Sequence, residues 1–308
     1  MNKCLYCYKE LSVEEIDFHS SCSVQFFGTE LPPEFNYSLS DMKRLAEDTI
    51  QRSISVPGVQ PKLSMDFNHN TSRLTVVGAL GGDYIFKPPN KDYAEMPENE
   101  HVTMRIAESF GIQVVPSSLI RLKSGELSYI TKRIDRTKDG DKIHMLDLFQ
   151  ITEAFDKYRS SVERIGKALH SYAANTQLDK LFFFELVVFC YLTGNNDMHL
   201  KNFSMIESQG DWKLAPAYDL LNVSIVNPED KEEMALTLQG KKSGFRKKHF
   251  MELGRSLMLT EKQVSGVFKR FDKKQKLATD WVENSFLSDE LKEAYNTVLQ
   301  KRFSSVKH

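Results

Sequence analysis

The amino-acid sequence predicts an α+β protein of two lobes, a β-rich N-terminal half followed by a helical C-terminal half. Three observations carry that prediction. Short strand-like runs, Leu63–Phe67, Leu74–Gly78 and Asp83–Lys87, are separated by turn residues at Asn68–Asn70 and Gly81-Gly82. Beyond residue 145, Ser161–Asn175 and Asp179–Thr193 are too long for strands and read as helices. The chain of 308 residues is also long enough for two lobes, and buries about three quarters of its unfolded surface.

Taken in order, residues 1–35 form a Cys/His segment that ends in a proline-punctuated connector at Thr29–Phe35. An N-lobe is expected over 36–136 and a helical C-lobe over 137–308. Residues 39–51 read as a short helix with Leu39, Met42, Leu45 and Ile50 as its apolar stripe. Ser53–Lys62 is a loop before the three strands. Pro88-Pro89 stops the third strand, since proline cannot donate to a ladder. Residues 98–110 form a helix with Val102, Ile106 and Phe110 on one face and Gly111 as C-cap. Val114–Leu122 and Leu127–Ile134 are two more strands. Thr260-x-x-Gln263 is a capping box. Ser288 caps a last helix that carries Leu291, Tyr295 and Leu299.

Composition excludes several classes. With 41% apolar and 27% charged residues the chain is globular, not disordered. The longest apolar run, Leu181–Leu192, is broken by Glu185 and falls short of the ~20 residues of a membrane span. The N-terminus lacks the apolar region of an export signal, so a cytoplasmic protein is expected. Disulfides are then not expected, and Cys190 reads as a small buried hydrophobe. Cys4, Cys7, His19 and Cys22 stand as Cys-x2-Cys-x11-His-x2-Cys. Two such pairs can converge on a structural zinc ion, closed to substrate. The bland alternative is reduced cysteines with His19 on the surface.

The richest stretch for chemistry is Gly194-Asn-Asn-Asp-Met-His-Leu-Lys-Asn202, directly after the apolar helix. Asp197 and Asn202 are five residues apart, and Asp219 follows seventeen later within Ala217-Tyr-Asp219. A carboxylate, an amide and a second carboxylate suit a hard cation bound to phosphates. Protein kinases use such a set: an Asp that takes the hydroxyl proton, and an Asn and a later Asp that hold Mg²⁺. The competing reading is a polar loop of Asx turns that caps the helix. Lys87 ends a strand and could reach phosphates from the sheet. Glu100 is placed to pair with it; Glu98 and Glu108 are weaker candidates. A protein-kinase-like fold with a small N-terminal Cys/His segment follows.

The motifs Ser-Ile-Ser-Val-Pro-Gly-Val-Gln-Pro-Lys62, Ile-Phe-Lys87-Pro-Pro, Glu-Asn-Glu100-His, Thr-Lys-Arg-Ile-Asp-Arg136, Gly-Asn-Asn-Asp-Met-His-Leu-Lys-Asn-Phe203 and Ala-Tyr-Asp-Leu220 stand together. The combination resembles the HipA family, bacterial toxin serine/threonine kinases of toxin–antitoxin systems. The resemblance spans about residues 50 to 300. It implies ATP and Mg²⁺ as cofactors and Asp197 as catalytic base. It implies Asn202 and Asp219 as Mg²⁺ ligands and Lys87 as phosphate contact. Pro57, Gly58, Val59, Gln60, Pro61 and Lys62 would cover ATP, and Lys132, Arg133 and Ile134 would line the adenine pocket. His199, Leu200, Lys201 and Tyr218 would belong to the nucleotide-contacting segments. Ser53 and Ser55 would be autophosphorylated. The chain looks like the short HipT type, in which a separate small protein resembles the missing N-terminal subdomain. That protein and a DNA-binding antitoxin would be partners. An aminoacyl-tRNA synthetase would be the substrate, and translation arrest the result.

Two other readings stand beside this one. A nucleotide-binding pseudokinase or interaction module is opposed by the presence of every catalytic position. A zinc-dependent nucleic-acid binder is suggested by the cysteine cluster and by residues 241–308, which carry 16 Lys+Arg against 8 Asp+Glu. A near-neutral total of −1 and few interleaved aromatics argue against direct nucleic-acid binding. Most of the basic charges are expected on solvated faces. The sharper alternative is that Lys241–His249 docks an acidic partner surface.

Overall fold

The computed structural model describes residues 2–52, 62–78, 81–137 and 139–307. Ser53, Ser55 and Pro57–Pro61 therefore lie outside the described residues. The chain forms two compact units. The first comprises Met1–His101, Val115–Asp141 and Asn284–Phe286, and includes the Cys/His segment; the second comprises Val102–Val114, Lys142–Glu283 and Leu287–His308.

In the first unit, helices α1 (Ser20–Phe27) and α2 (Leu39–Arg52) precede strands β1 (Leu63–Asn68), β2 (Arg73–Val77) and β3 (Tyr84–Lys87). Helix α3 (Met96–Phe110) starts here and runs into the second unit. Strands β4 (Ser117–Arg121) and β5 (Leu127–Lys132) complete an antiparallel sheet of order β2-β1-β3-β5-β4. Alternation decides its faces: Leu63, Met65 and Phe67 of β1 are buried while Ser64 and Asp66 are not fully so. Phe26 meets Tyr84, Phe27 meets Phe67, and Phe35 meets Phe86, with ring centroids 5.8, 6.4 and 5.2 Å apart. The N-terminal segment thus supplies the aromatic side of this sheet's core. Strand β4 is shorter than the expected Val114–Leu122 because Pro116 cannot join a ladder. Val114 instead bridges Ala217 in the second unit.

The second unit holds strand β6 (Met145–Asp147), helices α4 (Leu148–Ile151), α5 (Val162–Tyr172) and α6 (Thr176–Leu192), and strands β7 (Ser204–Ser208) and β8 (Asp211–Leu214). Helices α7 (Val223–Val226), α8 (Lys247–Ser256), α9 (Glu261–Lys273), α10 (Gln275–Asn284) and α11 (Asp289–Ser305) follow. Helix α6 is apolar all round and buried from Phe183 to Leu192, so it forms the centre of the unit. Its one acid in that run, Glu185, is buried and meets Arg270 at 2.7 Å. The expected caps are present: Thr260 and Ser288 each accept a backbone N–H, and Thr260 with Gln263 closes a capping box; Ser161 caps α5 in the same way. Tyr295 and Leu299 of α11 are buried. Cys190 is buried, as expected of a small hydrophobe.

A three-stranded sheet, β6-β7-β8, was not visible in the sequence, which reads this half as helical. Its strands are three to five residues long, and β7 and β8 join through Gln209-Gly210, with φ of +57° and +88°. That is a primed two-residue turn without the usual Asn-Gly signal. The basic stretch is anchored rather than loose. Phe245 is buried against Tyr191 and Phe250, and Lys242 meets Glu232 at 2.9 Å, while Lys241, Arg246 and Lys248 are exposed. Among the described residues, no helix is long and apolar enough to cross a membrane.

Two stability predictions follow from these elements. Gly194, just after α6, has φ +72°, and a Cβ there would lie 2.6 Å from Asn222 Oδ1 and 2.8 Å from Val298 Cγ1. Gly194→Ala should therefore lower unfolding free energy by about 2–4 kcal/mol in denaturant titration. Glu98, in the first turn of α3, is pushed up to about 7 by burial, which outweighs its own backbone hydrogen bond, with Glu95 adding to the rise. The folded state then holds this proton more tightly than the unfolded state. Stability is undiminished below pH 4.5, falls as pH rises to about 7, and stays lower above it. Glu98→Gln should raise Tm by about 2–4 °C at pH 8 and leave it unchanged at pH 4.

Candidate active site

In the first unit, Lys87 closes β3 opposite Tyr129 of β5. Its ammonium is 2.6 Å from Glu100 Oε1 and 5.3 Å from the Tyr129 ring centroid. Lys87 and Glu100 are 4% and 2% exposed, so this pair is desolvated and charge-assisted. Of the three glutamates considered, Glu100 is the partner. Lys132 of β5 is half-buried, with its ammonium 5.7 Å from the Phe26 ring; burial pulls its pKa down, against the nearby Asp83 carboxylate. Arg133 forks onto Asp135 at 2.9 and 2.7 Å and reaches the Gly81 carbonyl. Ile134 is partly exposed, and Lys62 precedes β1 at the surface.

Cys4, Cys7, His19 and Cys22 come together in the same unit, their ligand atoms all within 4.8 Å of one another. Donation from the Cys7 thiol holds Cys4 down to about 4, while the same pairing pushes Cys7 up. Burial, with the Cys4 charge behind it, raises Cys22.

In the second unit, the positive-φ turn at Gly194 ends α6 and releases the chain into the loop Asn195–His199. Asn196 donates to Asp230 Oδ2 and the Glu232 carbonyl, both at 3.0 Å. Asn202 Nδ2 donates to the Asp197 carbonyl at 3.0 Å and ties the ends of the loop together. The amide nitrogen is thereby used, and the amide oxygen is the donor atom Asn202 has left. Residues Leu200–Asn202 form one 3-10 turn, stacked through Lys201 Nζ 4.8 Å from the Phe149 ring. The β7–β8 hairpin then carries the chain out and back. Its return is fixed by Tyr218, whose hydroxyl donates to the Lys201 carbonyl at 3.0 Å and lies 2.5 Å from Ser204 Oγ. Asp219 follows in left-handed backbone at φ +55°, unusual for a residue with a Cβ. The hairpin is the physical reason for the seventeen-residue gap between Asn202 and Asp219.

His199 is buried and its Nδ1 has no hydrogen-bond partner among the described residues. Burial lowers its pKa, while the charges of Asp197 and Asp219 both oppose that shift. The imidazole therefore senses both carboxylates. One residue escaped the sequence reading: Tyr158 donates to Asp197 Oδ1 at 2.9 Å, and its ring meets His199 edge-on at 5.0 Å. It sits in an irregular loop with no motif to announce it. Burial and the Asp197 charge together raise the Tyr158 hydroxyl, which stays a donor.

A protein of Haemophilus influenzae is 32% identical over 188 residues, 56% of this chain and 54% of that protein. The serine/threonine-protein kinase toxin HipA of Shewanella oneidensis is 26% identical over 200 residues, 58% of this chain and 45% of that one. The chain thus spans about half the length of these curated relatives. Among solved structures, HipA of Shewanella oneidensis in complex with HipB and operator DNA superposes with a TM-score of 0.70 at 20% identity, covering 90% of this chain and 73% of that one. The Helicobacter pylori proinflammatory kinase CtkA gives 0.53 at 16% identity, over 76% of this chain and 88% of that one. The fold is kinase-like. The family model for the HipA-like C-terminal domain matches residues 54–281, most of the chain, and the chain belongs to the HipA family.

Proposed function

We propose that the chain is an ATP- and Mg²⁺-dependent protein serine/threonine kinase of the toxin class. The observation that carries this reading is the hairpin return: Tyr218 bonds the Lys201 carbonyl while Asn202 bonds the Asp197 carbonyl. These two bonds tie the segment of Asp219 to the loop of Asp197 and Asn202. Membership of a family with a kinase toxin supports the same conclusion.

The donor set fits the cation. The free amide oxygen of Asn202 and the Asp219 carboxylate are hard oxygen ligands and would hold Mg²⁺. Magnesium, when bound, neutralises phosphate charge. The unpartnered Nδ1 of His199 is a buried polar atom that a nucleotide oxygen or hydroxyl would satisfy. Asp197 accepts the proton of a substrate serine hydroxyl as its oxygen bonds the γ-phosphorus. The bond from that phosphorus to the bridging oxygen breaks, and ADP leaves with the electron pair. Tyr158 holds the Asp197 carboxylate in orientation. Lys87, in its ion pair with Glu100, would be the phosphate-binding cation. By the family resemblance, Pro57–Lys62 would cover ATP, Lys132–Ile134 would line the adenine pocket, and Leu200, Lys201 and Tyr218 would belong to the nucleotide-contacting segments.

Autophosphorylation of Ser53 and Ser55 would add close to two negative charges per site and repel ATP. By the family resemblance, an aminoacyl-tRNA synthetase is the substrate, translation stops, and the setting is the cytoplasm. The Shewanella protein is complexed with HipB and operator DNA, which supports a DNA-binding antitoxin as partner. By the same resemblance, a separate small protein would be a second partner, and direct nucleic-acid binding by this chain is not expected.

Asp197→Ala should lower phosphate transfer at least about 10²-fold by radiolabel incorporation, with ATP binding retained in calorimetry. Asp219→Ala should weaken Mg·ATP binding as well. Full transfer by Asp197→Ala would refute the assignment. Tyr158→Phe should lower kcat about tenfold and leave the KM for ATP unchanged, as steady-state kinetics will show.

A further inference from the structure

The Cys/His cluster takes no part in phosphoryl transfer and lies outside the matched family domain. We propose that Cys4, Cys7, His19 and Cys22 bind one zinc ion, and that the ion fixes Tyr8, which in turn positions the helix carrying Glu100.

The spacing of the ligand atoms fits. A tetrahedral zinc ion with sulfur and nitrogen ligands has S···N edges of about 3.5 Å and S···S edges of about 3.8 Å. His19 Nδ1 lies 3.4 Å from Cys7 Sγ and 3.7 Å from Cys22 Sγ. The correct nitrogen is presented, because His19 Nε2 lies 2.9 Å from the Glu10 carbonyl. Donation from Nε2 fixes the tautomer and leaves the Nδ1 lone pair for the metal. Both ligand pairs sit on tight backbone. Tyr8 N–H donates to the Cys4 carbonyl and Cys4 N–H to the Lys9 carbonyl, both at 2.9 Å. His19 begins α1, and Cys22 lies one turn on. Three thiolates and one imidazole favour zinc over magnesium or calcium and leave no open position, so the ion is structural.

Tyr8 carries the consequence. It follows Cys7 with φ +63°, a left-handed conformation that is strained for a residue with a Cβ. The strain is held because its hydroxyl lies 2.7 Å from His101 Nδ1, in a buried contact, with its ring edge-on to His101 and Phe286. His101 is the chain neighbour of Glu100, the partner of Lys87. The same segment is also tied by Arg121 to Asp17 at 2.9 Å and by Lys3 to the Asn284 carbonyl at 3.0 Å.

The test uses the full chain, purified with thiols reduced, and measures metal by plasma mass spectrometry. One zinc per chain is expected, with a thiolate-to-metal charge-transfer band on cobalt substitution. The double variant Cys7→Ser/Cys22→Ser should lose the metal. Less than stoichiometric zinc despite supplied metal, iron in its place, or full zinc in the double variant would overturn the site. Tyr8→Phe should keep the zinc and raise the KM for ATP several-fold more than it changes kcat; an unchanged KM would overturn the coupling. This last arm alone rests on the kinase reading. Stoichiometric zinc beside fully active Asp197→Ala would sink that reading and leave the metal site standing.

Discussion

The buried ion pair of Lys87 and Glu100 is the constraint around which the first unit is arranged. Taking either charge out of water costs several kcal/mol, and the pair recovers that only with close geometry. Here the separation is 2.6 Å. Such a contact demands that the end of β3 and the start of α3 meet at one register. The Tyr129 ring beside the ammonium and the β3–β5 pairing fix the strand side. The Tyr8–His101 contact fixes the helix side one residue away. The pair sets an ammonium and a carboxylate in a dry setting where each is the other's counter-charge.

The second unit solves a different problem. Its candidate site residues, Asp197, Asn202 and Asp219, are short side chains, and what places them is backbone rather than a buried charge. A helix apolar on all sides ends abruptly at a left-handed glycine, so the next nine residues start from a rigid edge. One amide of Asn202 closes this loop on itself. One hairpin returns the chain, and one tyrosine hydroxyl latches the return. The arrangement thus combines a short tie, the Asn202 amide on the Asp197 carbonyl, with a latch across the seventeen residues from Lys201 to Tyr218.

That difference explains what the sequence could reveal. The loop Gly194–Asn202 stood out because its geometry depends on close spacing, and spacing is written in the chain. The strands β1 to β3 were legible through alternation, and the helices through caps such as Thr260 with Gln263. Glu100 could be named before Glu98 and Glu108 only as a better guess, because the choice rests on tertiary packing. The β6-β7-β8 sheet escaped because three-residue strands have no period and Gln-Gly is a weak turn signal. Helix α1 escaped because its N-cap, His19, makes no side-chain cap bond that a motif could announce. Tyr158 escaped because a lone tyrosine in irregular chain differs in no visible way from any surface tyrosine.

The N-terminal segment shows why a four-ligand cluster belongs at this place. A stretch of some thirty residues cannot build a core of its own; chains below about 40 residues need a metal, a disulfide or a partner surface. Its large apolar side chains, Phe26 and Phe27, are already committed to Tyr84 and Phe67 of the sheet. The turn from Cys4 to Tyr8 is packed through buried Leu5, Tyr6 and Tyr8, with the Tyr6 ring 6.0 Å from that of Phe26, and this packing works against an ordering entropy of about 1–2 kcal/mol per residue. Yet that turn contains a strained tyrosine whose hydroxyl must reach His101. Drawn together on one ion, as proposed, two short cysteine-bearing turns would add a cross-link beside that packing, at the turn that carries the strained tyrosine.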